Sequence, residues 1–328
     1  MGESGAPAVT VVVPVRNRRA MLRQLLDGLR AQTFDDFEVV VVDDHSDDGS
    51  DEEVEKAAAD GAPARLVRNP GQGAVAARTT GVTASESEYL AFIDSDCVPA
   101  PGWLSAGVSA LADGADVVTG LTKPMRPVGP LERSIAAGEE GLFPTCNVFY
   151  RRAAFDAAGG FDADAARRHG FAVGRRMTRL GGGEDVLLGW RVRRAGTAAF
   201  APDAVVEHQV LAPDLGESFR RAAMLHGFPG LVREIPELRD TPVFHRRVFL
   251  GRRSRVPVFA FLVAAVSRRP RPAAVALLWW AGARAREIRR GPGSRSRKLA
   301  AVPVEMALDV VGAAALVAGS ARTRTLVL

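Results

Sequence analysis

The amino-acid sequence predicts an α/β fold, with a mostly parallel twisted sheet flanked by helices and a helical C-terminal extension. Three observations support this prediction. Valine-rich runs alternate with helix-like segments through the first 120 residues, a pattern typical of parallel sheets that helices cover on both faces. The 328 residues exceed the roughly 100–200 of a typical domain, so we expect one large domain and an appendage. Positive charge is concentrated at the C-terminal end, which distinguishes the expected extension from the rest of the chain.

The alternation begins near the N-terminus. Residues 9–15 form a continuous valine-rich run, which predicts a buried strand, and residues 20–31 place apolar side chains at helical spacing. Ligands of such sheets bind beyond the carboxyl ends of the strands, and the acidic clusters of this sequence lie at those ends. By the same patterns we expect strands at 37–42, 64–67 and 89–93 and helices at 52–59 and 74–83.

The pattern becomes irregular beyond residue 121, and we expect this part to shape the pocket of the second substrate. Helices are expected at 131–137, at 152–158 and after the glycines at 181–183, and a last strand at 197–200 with 204–207 leads to His208.

Two domains follow from these elements. We expect a first domain at residues 1–215, with one half at about 1–120 and the other at about 121–215. The basic and apolar region at 216–328 is expected to be helical.

Charge and cysteine content restrict the class of protein. Residues 245–328 contain 17 Arg and Lys against three acidic residues, whereas the whole chain carries +5, so the remainder is net negative. Cys97 and Cys146 are too few for a disulfide framework or a four-cysteine zinc site. Residues 1–7 lack the basic flank and apolar run of a secretory signal. We therefore expect a cytoplasmic protein.

The C-terminal region alternates arginine clusters with apolar stretches. The stretches at 256–266 and 272–283 are shorter than the roughly 20 residues that cross a bilayer as a helix. Glu305 and Asp309 interrupt the longer stretch at 299–321. We therefore expect peripheral or monotopic association with the anionic inner face of the cell membrane, with packing of these helices on the soluble domain as the alternative. No aromatic-interleaved RNA motif is present, so no nucleic-acid partner is expected.

Two carboxylates, Asp94 and Asp96, follow the strand predicted at 89–93. Carboxylate oxygens suit Mg²⁺ or Mn²⁺, which draw their other ligands from water and substrate phosphates. A nucleotide diphosphate is therefore a candidate for the missing ligands, with the metal acting on the departing phosphate. A simple turn at the end of the strand is the alternative.

Asp43 and Asp44 follow the strand at 37–42 in the same way. Acidic residues at such strand ends commonly hydrogen-bond the base or ribose of a nucleotide. The segment 44–55 matches the spacing of an EF-hand, but a strand precedes it, so calcium is rejected. Residues 71–76 approximate the dinucleotide-binding pattern GxGxxA, but they do not follow the first strand. These glycines instead suit close approach of the backbone to a ligand, with Arg78 available to a phosphate.

Glu184 and Asp185 begin a helix after three glycines. Acidic residues at this position can simply stabilise the helix dipole. Alternatively, one of them could act as a general base on an attacking hydroxyl. His208 could be a third metal ligand or a hydrogen-bonded core residue. Cys97 and Cys146 are expected to be inert buried thiols.

Taken in order, these segments resemble the family 2 glycosyltransferases of the GT-A fold, from about residue 9 to residue 208. The resemblance implies an inverting, single-displacement transfer from a nucleotide-diphosphate sugar to a hydroxyl of a lipid-linked, polysaccharide or cell-envelope acceptor. The segments that carry it are VVVPVRNR at 11–18, VVDDHSDDGS at 41–50, NPGQGAVAARTTG at 69–81, FIDSDC at 92–97, TCNVFYRRAAFDAAGGFD at 145–162 and GGEDVLLGWRVRRAG at 182–196.

The resemblance implies that residues 1–215 are a catalytic domain, with its donor-binding half at about 1–120 and its acceptor half at about 121–215, and that the loop at 167–179 selects the acceptor. It also implies roles for residues at the donor site. Pro14, Arg16 and Asn17 would line the nucleotide pocket, Asp44 would contact the base or ribose, and Arg78 would lie near the diphosphate. The sequence departs from the family in the first turn, where His45 stands in place of the usual glycine, and after Arg78, where Thr79 stands in place of asparagine.

The remaining implied roles concern the metal and the proton. Asp94 and Asp96 would bind Mn²⁺ or Mg²⁺, with Asp96 the direct ligand, and His208 would complete the coordination. Asp185 would be the general base, with Glu184 as its substitute.

Two other classes stay open. A nucleotidyltransferase acting on a sugar phosphate usually has a glycine-rich loop after the first strand, but residues 14–19 contain no glycine. A catalytically inactive nucleotide-sugar-binding protein would not need Asp96, Asp185 and His208 together. The QxxRW signature of processive synthases is absent, which favours a single-addition enzyme.

Overall fold

The computed structural model describes residues 6–171, 183–251 and 255–328. The chain divides into two compact units. Of the described residues, 6–125, 135–165 and 183–209 belong to the first unit, and 126–134, 166–171, 210–251 and 255–328 to the second.

An eight-stranded sheet forms the centre of the first unit, in the order β3-β2-β1-β4-β7-β6-β8-β5. Strands β3, β2, β1 and β4 run parallel, whereas β7 pairs antiparallel with β4 and β6. The α/β prediction is therefore confirmed, with a mixed second half of the sheet. The strands are β1 (Val9–Val15), β2 (Phe37–Asp43), β3 (Ala64–Arg68), β4 (Tyr89–Phe92), β5 (Cys97–Pro99), β6 (Val117–Pro124), β7 (Val148–Arg151) and β8 (Ala198–His208).

The helices of the first half of the chain follow the strands in the predicted alternation. Strand β5 was not predicted, because its three residues are too few to show a periodic pattern. Helix α4 was not predicted either. The helices up to residue 195 are α1 (Arg19–Arg30), α2 (Ser50–Ala59), α3 (Ala74–Thr83), α4 (Trp103–Ala112), α5 (Arg152–Ala157), α6 (Ala165–His169) and α7 (Glu184–Ala195).

The core of the first unit lies between the sheet and its helices. The valines of β1 and β2 are almost completely buried on both sides of the sheet, which is why these strands are continuously apolar. Leu22, Leu25 and Leu29 of α1 pack into the same core. The helix predicted at 131–137 is wrong, because Leu131 has a φ of 62° and Ala137 forms a bridge with Thr122 instead.

The second unit is mostly helical. Its last residue, Leu328, exchanges backbone hydrogen bonds with Val248 and Leu250, and helix α12 packs against α8, α9, α10 and α11. By length and composition α12 could cross a membrane. The elements are α8 (Leu215–Met224), α9 (Phe228–Glu234), β9 (Phe244–His245), β10 (Phe249–Leu250), α10 (Arg255–Val266), α11 (Pro270–Arg290) and α12 (Arg295–Thr323).

Candidate active site

The predicted site residues of the first half lie at the carboxyl ends of three neighbouring parallel strands. Arg16 and Asn17 follow β1, Asp44 follows β2, and Asp94 and Asp96 follow β4. Because β2, β1 and β4 are adjacent and parallel, their carboxyl ends lie at one edge of the sheet. This edge is the candidate active site.

Asp44 organises the glycine turn that follows β3. Its buried carboxylate accepts hydrogen bonds from the backbone N–H of Gly73, at 3.0 Å to each oxygen, and from Asn69 Nδ2 at 2.7 Å. Arg16 Nη1 lies 3.5 Å from Asp44 Oδ2. Gly73 has a φ of 89°, a conformation that a side chain would strain. The glycines at 71–76 thus form a turn around a carboxylate of the chain itself.

The loop after β1 is fastened to the loop after β2. Asn17 donates its backbone N–H to Ser46 Oγ at 3.0 Å, and its side-chain Oδ1 accepts a hydrogen bond from the backbone N–H of Asp47 at 2.9 Å. Pro14 lies opposite Val42 in the sheet. His45 has a φ of 61°, which explains why a glycine suits its position and why histidine is tolerated there.

Asp94 is paired with a buried arginine. Arg78 Nη2 donates a hydrogen bond to Asp94 Oδ1 at 2.7 Å, and the Arg78 side chain is 7% exposed. Burial opposes the charge of Arg78, but the carboxylates of Asp94, Glu184 and Asp185 outweigh it and raise the pKa of the guanidinium. One arginine therefore connects the strand-end carboxylate with the acidic pair at the start of α7.

Asp185 lies in the first turn of α7, after Gly183 in the left-handed region. Its Oδ1 accepts a hydrogen bond from the Val186 backbone N–H at 2.8 Å. Desolvation, and then the charge of Glu184, raise the pKa of Asp185 to about 7, although Arg78 opposes the shift. A carboxyl group with such a pKa can exchange a proton with substrate near neutral pH.

The pKa of Asp185 leads to a prediction on the pH dependence of the reaction. If Asp185 must be ionised to accept a proton, kcat/KM should rise with pH and level off above about 7, with about a tenth of the plateau value at pH 6. The measurement is kcat/KM against pH in buffers of constant ionic strength. A profile that is flat across neutral pH, or that falls with rising pH, would contradict the role of Asp185.

Asp96, Cys97 and His208 form a group whose ligand atoms all lie within 4.8 Å of one another. His208 Nδ1 lies 2.7 Å from the Gln209 carbonyl, which can only accept a hydrogen bond, so the proton belongs on Nδ1. The lone pair is then on Nε2, 3.6 Å from Asp96 Oδ1. The Asp96 carboxylate and the oriented imidazole of His208 fit a divalent metal ion, whereas Cys97 lies beside them as a thiol. Asp94 does not belong to this group.

Asp96 has two neighbours that the sequence pattern did not assign to the candidate site. Arg18 Nη1 lies 3.6 Å from Asp96 Oδ2, and Arg18 directly follows Asn17 in the loop after β1. Cys97 pairs with His208 across β5 and β8, a long-range contact that spacing cannot reveal. A hydrogen bond with Cys146, together with burial, raises the pKa of the Cys97 thiol well above its ordinary value. The thiol is therefore a poor nucleophile.

The predicted acceptor loop at 167–179 lies largely outside the described residues, as do two of the three glycines at 181–183. Within the described part, Tyr150 of β7 is fully buried and its hydroxyl has no hydrogen-bond partner. Burial, and then the charge of Asp185, raise the pKa of Tyr150. Tyr150 therefore lies within the electrostatic reach of Asp185.

Comparison with known proteins agrees with this geometry. The model of the glycosyl transferase family 2 matches residues 10–157. Glycosyltransferase AglE of Haloferax volcanii is 31% identical over 174 residues, which are 48% of this chain and 57% of AglE. The pre-mycofactocin glycosyltransferase of Mycobacterium tuberculosis is 31% identical over 222 residues, which are 61% of this chain and 42% of that protein. The chain thus spans about half the length of these relatives.

A solved structure supports the fold over nearly the whole chain. The mannosyltransferase PcManGT of Pyrobaculum calidifontis, solved with GDP-mannose and Mn²⁺, covers 98% of this chain. The match covers 88% of PcManGT, with a TM-score of 0.57 and 22% sequence identity, and it bears on the fold alone. The family match over residues 10–157, the relatives and the strand-end geometry agree with one another: over this part the chain is similar to glycosyl transferase family 2, and its fold is GT-A-like.

Proposed function

We propose that the protein is an inverting glycosyltransferase that moves a sugar from a nucleotide-diphosphate sugar to a hydroxyl group of a cell-envelope, polysaccharide or lipid-linked acceptor. One observation carries this proposal. The buried Arg78 donates a hydrogen bond to Asp94, and the negative charges of Glu184 and Asp185 help to raise the pKa of its guanidinium. This shared arginine supports the proposal that the strand-end carboxylate and the candidate base act at one site, as a single displacement requires.

Asp185 is the proposed general base. As the acceptor oxygen forms a bond to the anomeric carbon, the bond between that carbon and the diphosphate oxygen breaks on the opposite side. The hydroxyl proton passes to the Asp185 carboxylate, and the electron pair leaves with the nucleotide diphosphate. A base of this kind contributes about 10²- to 10⁴-fold to the rate. Glu184, which is buried, supports Asp185 by raising its pKa.

The donor is proposed to bind along the edge formed by the loops after β1 and β2. The hydrogen bonds of Asn17 and Asp44 fix these loops, so that the exposed guanidinium of Arg16 is held beside the nucleotide position. Both Asp44 oxygens accept a bond from Gly73, so Asp44 acts on the base or ribose with its remaining lone pairs. Arg78 offsets negative charge near the diphosphate.

Asp96 and His208, with Cys97 beside them, are proposed to hold Mn²⁺ or Mg²⁺. A divalent ion supplies charge neutralisation for a diphosphate leaving group. The structure of PcManGT contains GDP-mannose and Mn²⁺, and this proposal carries that class of donor and that metal over to the present chain.

The cytoplasmic face of the cell membrane is the proposed location. The 17 Arg and Lys residues of 245–328 support it, because basic segments are attracted to anionic lipid headgroups. This location would bring the site close to an acceptor that is carried on a lipid.

The test is incubation of the protein with UDP-, GDP- and dTDP-sugars and Mn²⁺, with and without EDTA, while release of nucleotide diphosphate is measured. We expect release from at least one donor, dependent on the metal, and a product of inverted anomeric configuration by NMR. Pyrophosphate release from a nucleoside triphosphate and a sugar phosphate would instead identify a nucleotidyltransferase. Donor binding without turnover in the presence of membrane extracts would identify an inactive binding protein.

A further inference from the structure

Exposed apolar side chains are concentrated in the C-terminal helices of the second unit. In the described part of the chain, eleven large apolar residues are exposed, and ten of them lie between residues 263 and 326. The eleventh, Leu215, lies on α8 of the same unit. Single exposed apolar residues are ordinary on soluble proteins, but a concentration of them marks a surface that binds something.

One face of α12 is apolar over most of the helix. Every exposed residue of α12 from Leu299 to Ala321 is apolar, and these residues recur at helical spacing. At 1.5 Å per residue the stripe is about 33 Å long. Its members are Leu299, Ala300, Pro303, Ala307, Val310, Ala314, Val317, Ala318 and Ala321.

The two acidic residues of this stretch do not reach the stripe. Arg284 of α11 is 5% exposed and donates hydrogen bonds to both oxygens of Asp309. Trp280 Nε1 donates to the same carboxylate at 2.9 Å, and Glu305 lies 3.9 Å from Arg284. The charges that appeared to interrupt the apolar stretch are therefore paired between α11 and α12. A helix whose acidic side chains are paired inside the unit and whose exposed side chains from Leu299 to Ala321 are all apolar differs from the usual surface helix of a soluble protein.

A second apolar patch lies on α10 and α11. Its side chains include Val266, 84% exposed, Leu278, 74% exposed, and Trp279, 49% exposed. Exposed arginines lie where α10 is followed by α11, at Arg268, Arg269 and Arg271. Two more, Arg295 and Arg297, lie in the first turn of α12, just before the stripe. Apolar surface bordered by arginine is complementary to a bilayer with anionic headgroups.

We propose that the α12 stripe and the α10–α11 patch bind an anionic lipid bilayer, with the helices lying in its interface. The opposite face of α12 packs against α8 and α9. Gly319 of α12 lies so close to the carbonyl of His226, in the turn between α8 and α9, that a Cβ at Gly319 would be 2.3 Å from that oxygen. A helix held in this way lies on the bilayer and does not cross it. This inference rests on the proposed membrane location, and it deepens that proposal by naming the surface.

The first test is binding of the purified full-length protein to vesicles of phosphatidylcholine with phosphatidylglycerol, followed by flotation. Val317→Glu, on the stripe, should weaken binding about tenfold, because it replaces an inserted apolar group with a charge. Leu215→Glu is the matched control, since Leu215 and Val317 are 47% and 49% exposed and both changes add one negative charge. Equal binding by the two variants would overturn the proposal, as would failure of the unchanged protein to bind.

The second test uses the fluorescence of Trp279. Trp103, Trp190 and Trp280 are buried, so a blue shift of emission on addition of vesicles should report Trp279. We expect the shift to disappear in Trp279→Phe while vesicle binding persists. Binding without a shift in the unchanged protein would overturn insertion of the patch, and complete release by high salt would show electrostatic attachment alone.

The third test distinguishes the bilayer from a second copy of the chain. Sedimentation velocity without lipid should show that Val317→Glu leaves the oligomeric state unchanged. A dimer that this substitution dissociates would assign the stripe to a protein interface and overturn the proposal. Release of nucleotide diphosphate in solution is measured separately, so a failure of catalysis and a failure of membrane binding can be told apart.

Discussion

Asp185→Asn is expected to lower kcat by about 10²- to 10⁴-fold while donor affinity changes little. The amide retains the shape of the side chain and its position at the start of α7, but it cannot accept the proton of the acceptor hydroxyl. Single-turnover kinetics with saturating donor would measure the chemical step, and calorimetric titration with the nucleotide diphosphate would measure binding. The rise of kcat/KM around pH 7 should disappear in this variant.

Glu184→Gln is the matched control for Asp185→Asn, because the two residues are adjacent and both are close enough to affect the charge of Arg78. Removal of the Glu184 charge should lower the pKa of Asp185 and shift the pH profile to lower pH. Activity near neutral pH should therefore survive. If Glu184→Gln abolished transfer and Asp185→Asn did not, Glu184 would be the base.

Asp96→Ala should abolish metal-dependent binding of nucleotide diphosphate and reduce transfer to near background. Asp96 contributes the only carboxylate to the described group of Asp96, Cys97 and His208. Loss of a direct ligand should cost at least the roughly 10- to 100-fold in metal affinity that outer-shell changes cost. Titration of Mn²⁺, followed by water proton relaxation, measures this loss without any turnover.

Asp94→Asn provides the comparison for Asp96→Ala. Asp94 is hydrogen-bonded to Arg78 and lies outside the group that contains Cys97 and His208. We therefore expect Asp94→Asn to retain most of the Mn²⁺ affinity and to reduce transfer through its effect on Arg78. Equal loss of Mn²⁺ binding in both variants would show that Asp94 is also a ligand.

The sequence was sufficient to predict the position of those candidate residues that follow the ends of parallel strands. The valine runs of β1 and β2 and the carboxylates that follow β2 and β4 are local features, and the parallel sheet gathers their ends at one edge. For the same reason Asp44 could be expected at the candidate site, whereas Asn17 was expected there from the family resemblance.

Contacts between distant strands and helices could not be predicted. The antiparallel pairing of β5 with β8 places Cys97 beside His208, and no periodicity in the sequence reports such a pairing. Likewise, Asp309 was expected to interrupt an apolar helix, but Arg284 of the preceding helix neutralises it. The helix expected at 131–137 is absent, because Leu131 has a positive φ. In the first two cases, contacts between distant segments determine the structure, and a local sequence pattern does not contain them.

The apolar stripe of α12 also has a kinetic consequence. An enzyme held in a bilayer by such a face would meet a lipid-borne acceptor by lateral diffusion, in two dimensions. Its rate would then follow the mole fraction of acceptor in the membrane and not the bulk concentration. Dilution of the acceptor with inert lipid, at a constant amount of acceptor per volume, would slow the reaction.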